Sequence, residues 1–336
     1  MPIPFILAGV ALIAGGYGVK KGLDAKSDFE DANHLNEKAH RIFDEAKEDL
    51  ESTREKAQHS MKALGTLKFN IYKNSLLPFV DCFSKIKNID FNDSRLLGAG
   101  ELPQISQAEM KKMKEMALEM EEVVAGGIAA LGSGGLAGMA VYGGVGWMAA
   151  ASTGTAISTL SGAAATNATL AWLGGGSLAT GGLGMAGGTM VLGGIVAGPV
   201  LAVGGMMLAS KAEAAKHNAY SNYDKAKIAA EEMKSATVVT SGIQRRFYEI
   251  NTILNALNQR FEPLLQSLSN LVNYSNDYKT YSDADKKGVF LAASVAKTIK
   301  QIMEAPLMDK NGSLTTDSRK VIELGENTFQ KMISAS

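Results

Sequence analysis

The stretch 123–166 reads VVAGGIAALGSGGLAGMAVYGGVGWMAAASTGTAISTLSGAAAT, and it opens a block of 88 consecutive residues, Val123 to Ser210, without a single Asp, Glu, Lys or Arg. This charge-free block holds 24 of the 36 glycines. All 34 basic and all 34 acidic residues therefore lie in the flanks on either side of it. A helix at the surface of a soluble protein normally has a polar face. The segregation of charge predicts that the block packs against apolar surroundings, either protein or lipid.

Small residues recur in the block at four-residue steps, which place them on one face of a helix. Small side chains let helix backbones approach closely, and helices associate in lipid in this way. We therefore predict glycine-zipper packing and a homo-oligomer. Two tryptophans lie near the ends of the candidate spans, where a membrane interface favours them, although core burial is an equal alternative. The predicted packing and membrane residues are Gly134, Gly138, Gly146, Ala150, Gly154, Ser158, Gly162, Thr166, Gly184, Gly188, Gly194, Gly198, Trp147 and Trp172.

Three stretches of the block are long enough to cross a bilayer as helices: residues 190–209, 124–148 and 153–173. Their apolar content is mostly Ala and Gly, which contribute little insertion energy. Insertion is therefore predicted to be marginal, with a soluble cytoplasmic pool beside the membrane-associated one.

A second apolar stretch, Pro2 to Val19, opens the chain and is followed by Lys20 and Lys21. A secretory signal would carry its basic residues before the apolar run. We interpret the stretch as a retained anchor or helix-packing segment. A cleaved signal peptide and a buried core helix are the alternatives.

The flanks have the three- and four-residue apolar spacing of amphipathic helices. One such pattern extends from Leu35 to Ile71, and Pro78 is expected to kink or break that helix. Another occupies Lys211 to about Asn273, with a kink expected at Pro263. The apolar positions of the second pattern are Phe247, Ile250, Leu254, Leu257, Phe261, Leu264, Leu268 and Leu271.

Shorter signals mark the remaining elements. Ser106 with Glu109 predicts a capping box that opens a helix, and the stretch 282–285 caps another that ends near Pro306. An Asn-Gly turn within residues 307–314 predicts a minor hairpin, and a last helix begins at Thr316. The helix after Ser106 presents a methionine face, either an adaptable contact surface or a face packed on its neighbours. Its members are Met110, Met113, Met116 and Met120.

These elements predict an all-α fold. Long amphipathic antiparallel helices, in a bundle or coiled coil, would enclose a glycine-rich hydrophobic helical hairpin region. The expected segments are an N-terminal apolar segment at 1–22, an amphipathic helical domain at 23–122, the membrane-inserting block at 123–210 and a C-terminal amphipathic helical domain at 211–336.

No enzymatic chemistry is predicted, and we assign no catalytic, cofactor-binding or metal-binding residue. The letters of a dinucleotide fingerprint occur at 182–187, but no strand precedes them and no acidic residue follows before Glu213. The histidines, at 34, 40, 59 and 217, fall on charged helices and are expected to be solvated. Equal numbers of basic and acidic residues give no electrostatic surface for nucleic acid. The single cysteine, Cys82, excludes an intramolecular disulfide.

Residues 154–188, with LSGAAATNATLAWLGGGS at 160–177, resemble the glycine-rich block of a bacterial family of uncharacterised membrane-associated proteins with coiled-coil flanks. The resemblance implies a bacterial source and membrane association. In overall plan the chain is similar to colicin-type and haemolysin-type helical pore formers, to apolipoprotein L and to the interferon-inducible small glycine-rich membrane proteins. These likenesses assign no functional residue.

The expected function is insertion into a bilayer that the protein permeabilises or remodels, in defence or competition, with flanks on the cytoplasmic side. One alternative is a constitutive membrane-anchored scaffold that recruits a protein partner through its coiled coil. Another is a soluble interaction protein with a buried glycine-rich core.

Overall fold

The computed structural model describes residues 18–91, 106–115, 117, 139–140, 215–308 and 314–334. The described part is 90% helical and contains no strand, which confirms the all-α class. Its helices are α1 (Gly18–Ile71), α2 (Leu77–Ser84), α3 (Ala215–Tyr274), α4 (Asp283–Glu304) and α5 (Thr316–Ser334). A π-helical turn, Tyr72–Leu76, joins α1 to α2, and a 3-10 turn, Tyr278–Thr280, precedes α4. Residues 107–115 are also helical.

The chain divides into two compact units, and the first comprises Met1–Leu50 and Val196–Ser235. Its described part is the first portion of α1 with the start of α3. The Lys38 ammonium lies 5.8 Å from the centroid of the Tyr223 ring, so the two helices are adjacent there. Seven-residue spacing of buried side chains on both helices is that of a coiled coil. These residues are Ala32, Ala39 and Ala46 on α1, and Ala219, Ala226 and Met233 on α3.

The second unit comprises Glu51–Ile195 and Ala236–Ser336, and it contains one continuous apolar core. The apolar positions predicted along α3 lie in or against this core, as do Met110 and Met113 of the methionine face. For those two methionines the face is therefore packed on its neighbours. The largest fully buried apolar side chains are Tyr72, Phe69, Phe79, Phe247, Phe261, Leu64 and Ile71.

In the second unit, α2 packs against α3. The centroids of the Phe79 and Phe261 rings are 5.6 Å apart. Beyond the C-terminal ends of the two helices, Lys87 forms a parallel bridge with Asp277. Because both contacts advance in the same direction, α2 and α3 run parallel at this point. A short loop forces neighbouring helices to be antiparallel. The segment between α2 and α3 extends from Lys85 to Ala214, so no short loop imposes that direction on them.

Antiparallel pairing does occur between α4 and α5. The Thr298 and Thr328 hydroxyls are 3.4 Å apart, and a Cβ on Gly325 would meet Ile302 further along α4. The helix α5 also lies along α3, where Arg246 Nη1 donates to Ser318 Oγ at 2.6 Å.

The local predictions of helix ends are confirmed. Ser106 and Glu109 exchange the two hydrogen bonds of a capping box, at 2.8 and 3.2 Å. Ser282 and Asp285 form the second box at the start of α4. Met308 and Leu314 form an isolated antiparallel bridge where the minor hairpin was predicted.

The two prolines have different consequences. Pro78 has no N–H, and its ring would clash with the carbonyl of residue 74 in an unbroken α-helix. The chain widens just before it into the π-helical turn, where Leu77 N–H donates to Tyr72 O, and Pro78 then lies in the first turn of α2. The predicted break therefore takes the form of a π turn. By contrast, α3 continues through Pro263.

Several sequence-based predictions fall outside the described residues. They include the apolar residues before Gly18 and, apart from Met139 and Ala140, all three candidate spans. Among the helices that the structure does describe, none is both long enough and apolar enough to span a bilayer.

Two glycines on neighbouring helices provide a matched test of the packing. A Cβ on Gly325 would lie 2.7 Å from Ile253 and 2.9 Å from Ile302, whereas a Cβ on Gly288 would meet nothing within 4 Å. Gly288→Ala should raise the free energy of unfolding by about 0.5–1 kcal/mol through helix propensity. Gly325→Ala should lower it by about 1–2 kcal/mol, because overpacking outweighs the same gain. Urea denaturation of both variants measures the difference, and equal effects would contradict the close contact of α5 with α3 and α4.

Candidate functional site: the Lys68 contact

The predicted packing and membrane residues all lie outside the described part of the chain, so the structure brings none of them together. They stay predictions. They are Gly134, Gly138, Gly146, Ala150, Gly154, Ser158, Gly162, Thr166, Gly184, Gly188, Gly194, Gly198, Trp147 and Trp172. Met139 and Ala140 are the residues of the charge-free block that the structure describes, and both are helical.

The site with unusual chemistry is a buried lysine in the last turn of α1. Lys68 has no exposed surface, and its Nζ donates to Met303 O at 3.0 Å and to Ala140 O at 3.1 Å. We call these two hydrogen bonds the Lys68 contact. The contact joins α1, α4 and the charge-free block, which are far apart in the sequence.

The α4 side of the contact is a helix terminus. Met303 is the penultimate residue of α4, and the last carbonyls of a helix have no partner within the helix. They also carry the partial negative charge of the helix dipole. The Lys68 amine therefore satisfies a carbonyl that the helix itself leaves open.

The block side of the contact is fully buried. Met139 and Ala140 have no exposed surface, and both belong to the apolar core of the second unit. The hydrogen bond to Ala140 O holds this part of the block in the core. Because the acceptor is a backbone carbonyl, the hydrogen bond does not depend on which side chain occupies position 140.

Burial dominates the electrostatics of Lys68. It lowers the pKa of the amine from 10.5 to about 7, because a charged ammonium is costly in apolar surroundings. Among the described residues, no carboxylate forms an ion pair with Lys68. One turn further on, burial and then the charge of Glu304 raise the pKa of the Tyr72 phenol.

Charged pairs on α4 lie around this core. Lys300 and Glu304 form an ion pair one turn apart, and both are largely buried. Lys297 pairs with Glu109 at 2.7 Å, which ties the helical residues 107–115 to α4. Burial opposes ionisation of Glu109, but hydrogen bonds from Lys297 and Ser106 keep its pKa below the ordinary value.

The π-helical turn, which begins four residues after Lys68, contains a second buried polar group. The Ser75 Oγ atom is buried and finds no hydrogen-bond partner among the described residues. π turns inside α-helices occur frequently at functional sites. Here Pro78 gives a sufficient structural reason for the turn.

The burial of Lys68 is not predicted by the local sequence pattern. The signal was present, because Lys68 is four residues after Leu64 and three before Ile71, on the apolar face of α1. A basic residue on such a face usually extends its charge into solvent. Its buried position depends on α4 and on the block, which local periodicity does not locate.

The described residues contain no group of three or more His, Cys, Asp or Glu side chains that could hold a metal ion. His34, His40 and His59 are exposed, as predicted; the side chain of His217 lies outside the described set. Cys82 is half-buried and free.

The fold and the site define a class: an all-α protein in which a buried lysine fixes part of a charge-free segment to a helical core. No protein-family model matches the chain, and no curated protein or solved structure matches it significantly. The resemblance to a bacterial membrane-associated family accordingly stays a prediction.

Proposed function

We propose that the protein inserts its charge-free block into a lipid bilayer and permeabilises or remodels that bilayer, while the charged flanks stay outside the lipid. The observation that carries the proposal is the run from Val123 to Ser210 without Asp, Glu, Lys or Arg. Each such charge at the centre of a spanning helix would cost about 2.5–3.5 kcal/mol, and the block avoids this cost throughout.

The described helices are consistent with separate roles for the flanks, which form a folded bundle, and for the block, which inserts. The second unit has its own buried core of aromatic and aliphatic side chains, supplied mostly by the flanks. Its surface carries exposed charged pairs such as Arg319 with Glu323 and Lys85 with Asp81. Such a bundle can hold an apolar segment in water and keep the flanks outside the lipid when that segment inserts.

One observation favours the soluble interaction protein as a second candidate. Met139 and Ala140 are buried in the core that the flanks build, as they would be if the block were permanently part of that core. Exposed apolar side chains on α3, including Ile228 at 61% and Val238 at 73%, favour a protein partner in either case.

Dye release from vesicles tests the proposal. The purified full chain is added to phosphatidylcholine–phosphatidylglycerol vesicles that contain a self-quenched dye. We expect dose-dependent release that persists in high salt, since the chain has equal numbers of basic and acidic residues and no net charge to be screened. Binding without release would favour the membrane-anchored scaffold, and absence of binding would favour the soluble interaction protein.

A further inference from the structure

Lys68 donates two hydrogen bonds in the Lys68 contact, which is the number that a neutral amine can donate. A neutral amine has two N–H groups, and Lys68 uses two, toward Ala140 O and Met303 O. An ammonium has a third N–H, for which the described residues supply no acceptor. The same ammonium would be fully buried, with no carboxylate among the described residues paired to it. Protonation thus leaves both a charge and a donor unsatisfied in an apolar core.

We propose that the Lys68 contact is an acid-sensitive device: the neutral amine holds Met139 and Ala140 in the core, and protonation of the amine releases them. The role of Met139 and Ala140 after release rests on the proposed function. Their release does not depend on that function, and it can be measured without a membrane.

Two other ionisable groups near this core, Tyr72 and Glu109, keep their charge state near neutral pH. Tyr72 stays neutral, because burial and Glu304 raise its pKa. Glu109 stays ionised, because its hydrogen bonds with Lys297 and Ser106 lower its pKa. Glu304 is paired with Lys300 on α4. The side chains that α3 contributes to this core include the apolar Ile250, Leu254, Leu257 and Phe261.

The direction of the pH effect follows from the two states of the amine. In the core, burial lowers the pKa of Lys68 from 10.5 to about 7, and after release the exposed amine regains its ordinary pKa. Between these two values the released state binds more protons, so each unit of acidification favours release by about tenfold. Below about pH 7 both states are protonated, and the dependence levels off.

Peroxide oxidation of Met139 measures the release, because a buried thioether reacts only when it becomes exposed. The full-length protein is treated with dilute hydrogen peroxide between pH 9 and pH 6, and initial rates at each methionine are read by peptide mass spectrometry. Met61 on α1 is the internal reference for opening of the whole bundle. We expect the Met139 rate to rise about tenfold per unit from pH 9 to pH 7 and to flatten below, with Met61 slow throughout.

Three variants separate the amine from general effects. Lys68→Met has no titratable group and Lys68→Gln keeps two N–H donors without a charge, so both should abolish the slope. Lys62→Met, at an exposed position on α1, should retain it.

A flat Met139 rate in the native protein, a slope that survives in both Lys68 variants, or a parallel rise at Met61 would overturn the proposal. Because the oxidation experiment contains no lipid, its failure would not contradict the proposed insertion. Failure of dye release, with the pH dependence of Met139 oxidation intact, would contradict the insertion and not the acid-sensitive release.

Discussion

Replacing Val200 with Asp is expected to move the protein out of the membrane fraction. Val200 lies near the middle of residues 190–209, the strongest candidate span. An Asp there costs about 2.5–3.5 kcal/mol, which should lower partitioning into vesicles on the order of 100-fold. The insertion energy of an Ala- and Gly-rich helix is marginal, so a penalty of this size should decide the outcome. Vesicle flotation of native and variant protein measures the shift.

Val238→Asp is the matched control for this substitution. Val238 is 73% exposed on α3, so the same change there should alter neither the fold nor flotation. If Val200→Asp floats like the native chain, residues 190–209 do not enter lipid, and insertion would have to be sought in 124–148 or 153–173. If it instead lowers thermal stability and aggregates without lipid, Val200 lies in a protein core, as the soluble alternative predicts.

Phe261→Ala should be the most damaging simple truncation in the described core. Phe261 has no exposed surface, and its ring meets Phe79 edge to face at 5.6 Å. Loss of a buried phenyl ring lowers the free energy of unfolding by about 3–5 kcal/mol, through lost burial and the cavity that remains. Urea denaturation followed by circular dichroism measures this loss.

Two further variants make the test of Phe261 specific. Tyr248→Ala, on the exposed side of the same helix, should change stability by less than about 0.5 kcal/mol. A double-mutant cycle of Phe261→Leu with Phe79→Leu should give a coupling energy of about 0.5–1.5 kcal/mol for the aromatic pair. Strict additivity would argue against the contact, and with it against the parallel arrangement of α2 and α3.

Local patterns predicted the helices of this fold well. Three- and four-residue spacing located α1 and α3, and side chains such as Leu64 and Leu254 on the predicted faces are buried. The capping boxes at Ser106 and Ser282 were also predictable, because each depends on residues only three positions apart. Such features need no knowledge of tertiary neighbours.

The features that the sequence did not predict are all non-local. The direction of α3 relative to α2 is a property of the tertiary fold, and the periodicity of each helix does not report it. The burial of Lys68 likewise depends on carbonyls of Ala140 and Met303, which lie 72 and 235 residues away. A polar residue on an apolar helix face is the local sign of such a site, but its partners come from the tertiary fold.

The most direct test of the central claim is a high-pH wash of vesicles that have bound the full-length protein. Carbonate at high pH strips proteins held by surface contacts and leaves those whose segments cross the lipid. Membrane insertion of the charge-free block predicts that a substantial fraction of the native chain floats with the vesicles after the wash, and that Val200→Asp does not. Complete release of the native chain into the wash would contradict insertion.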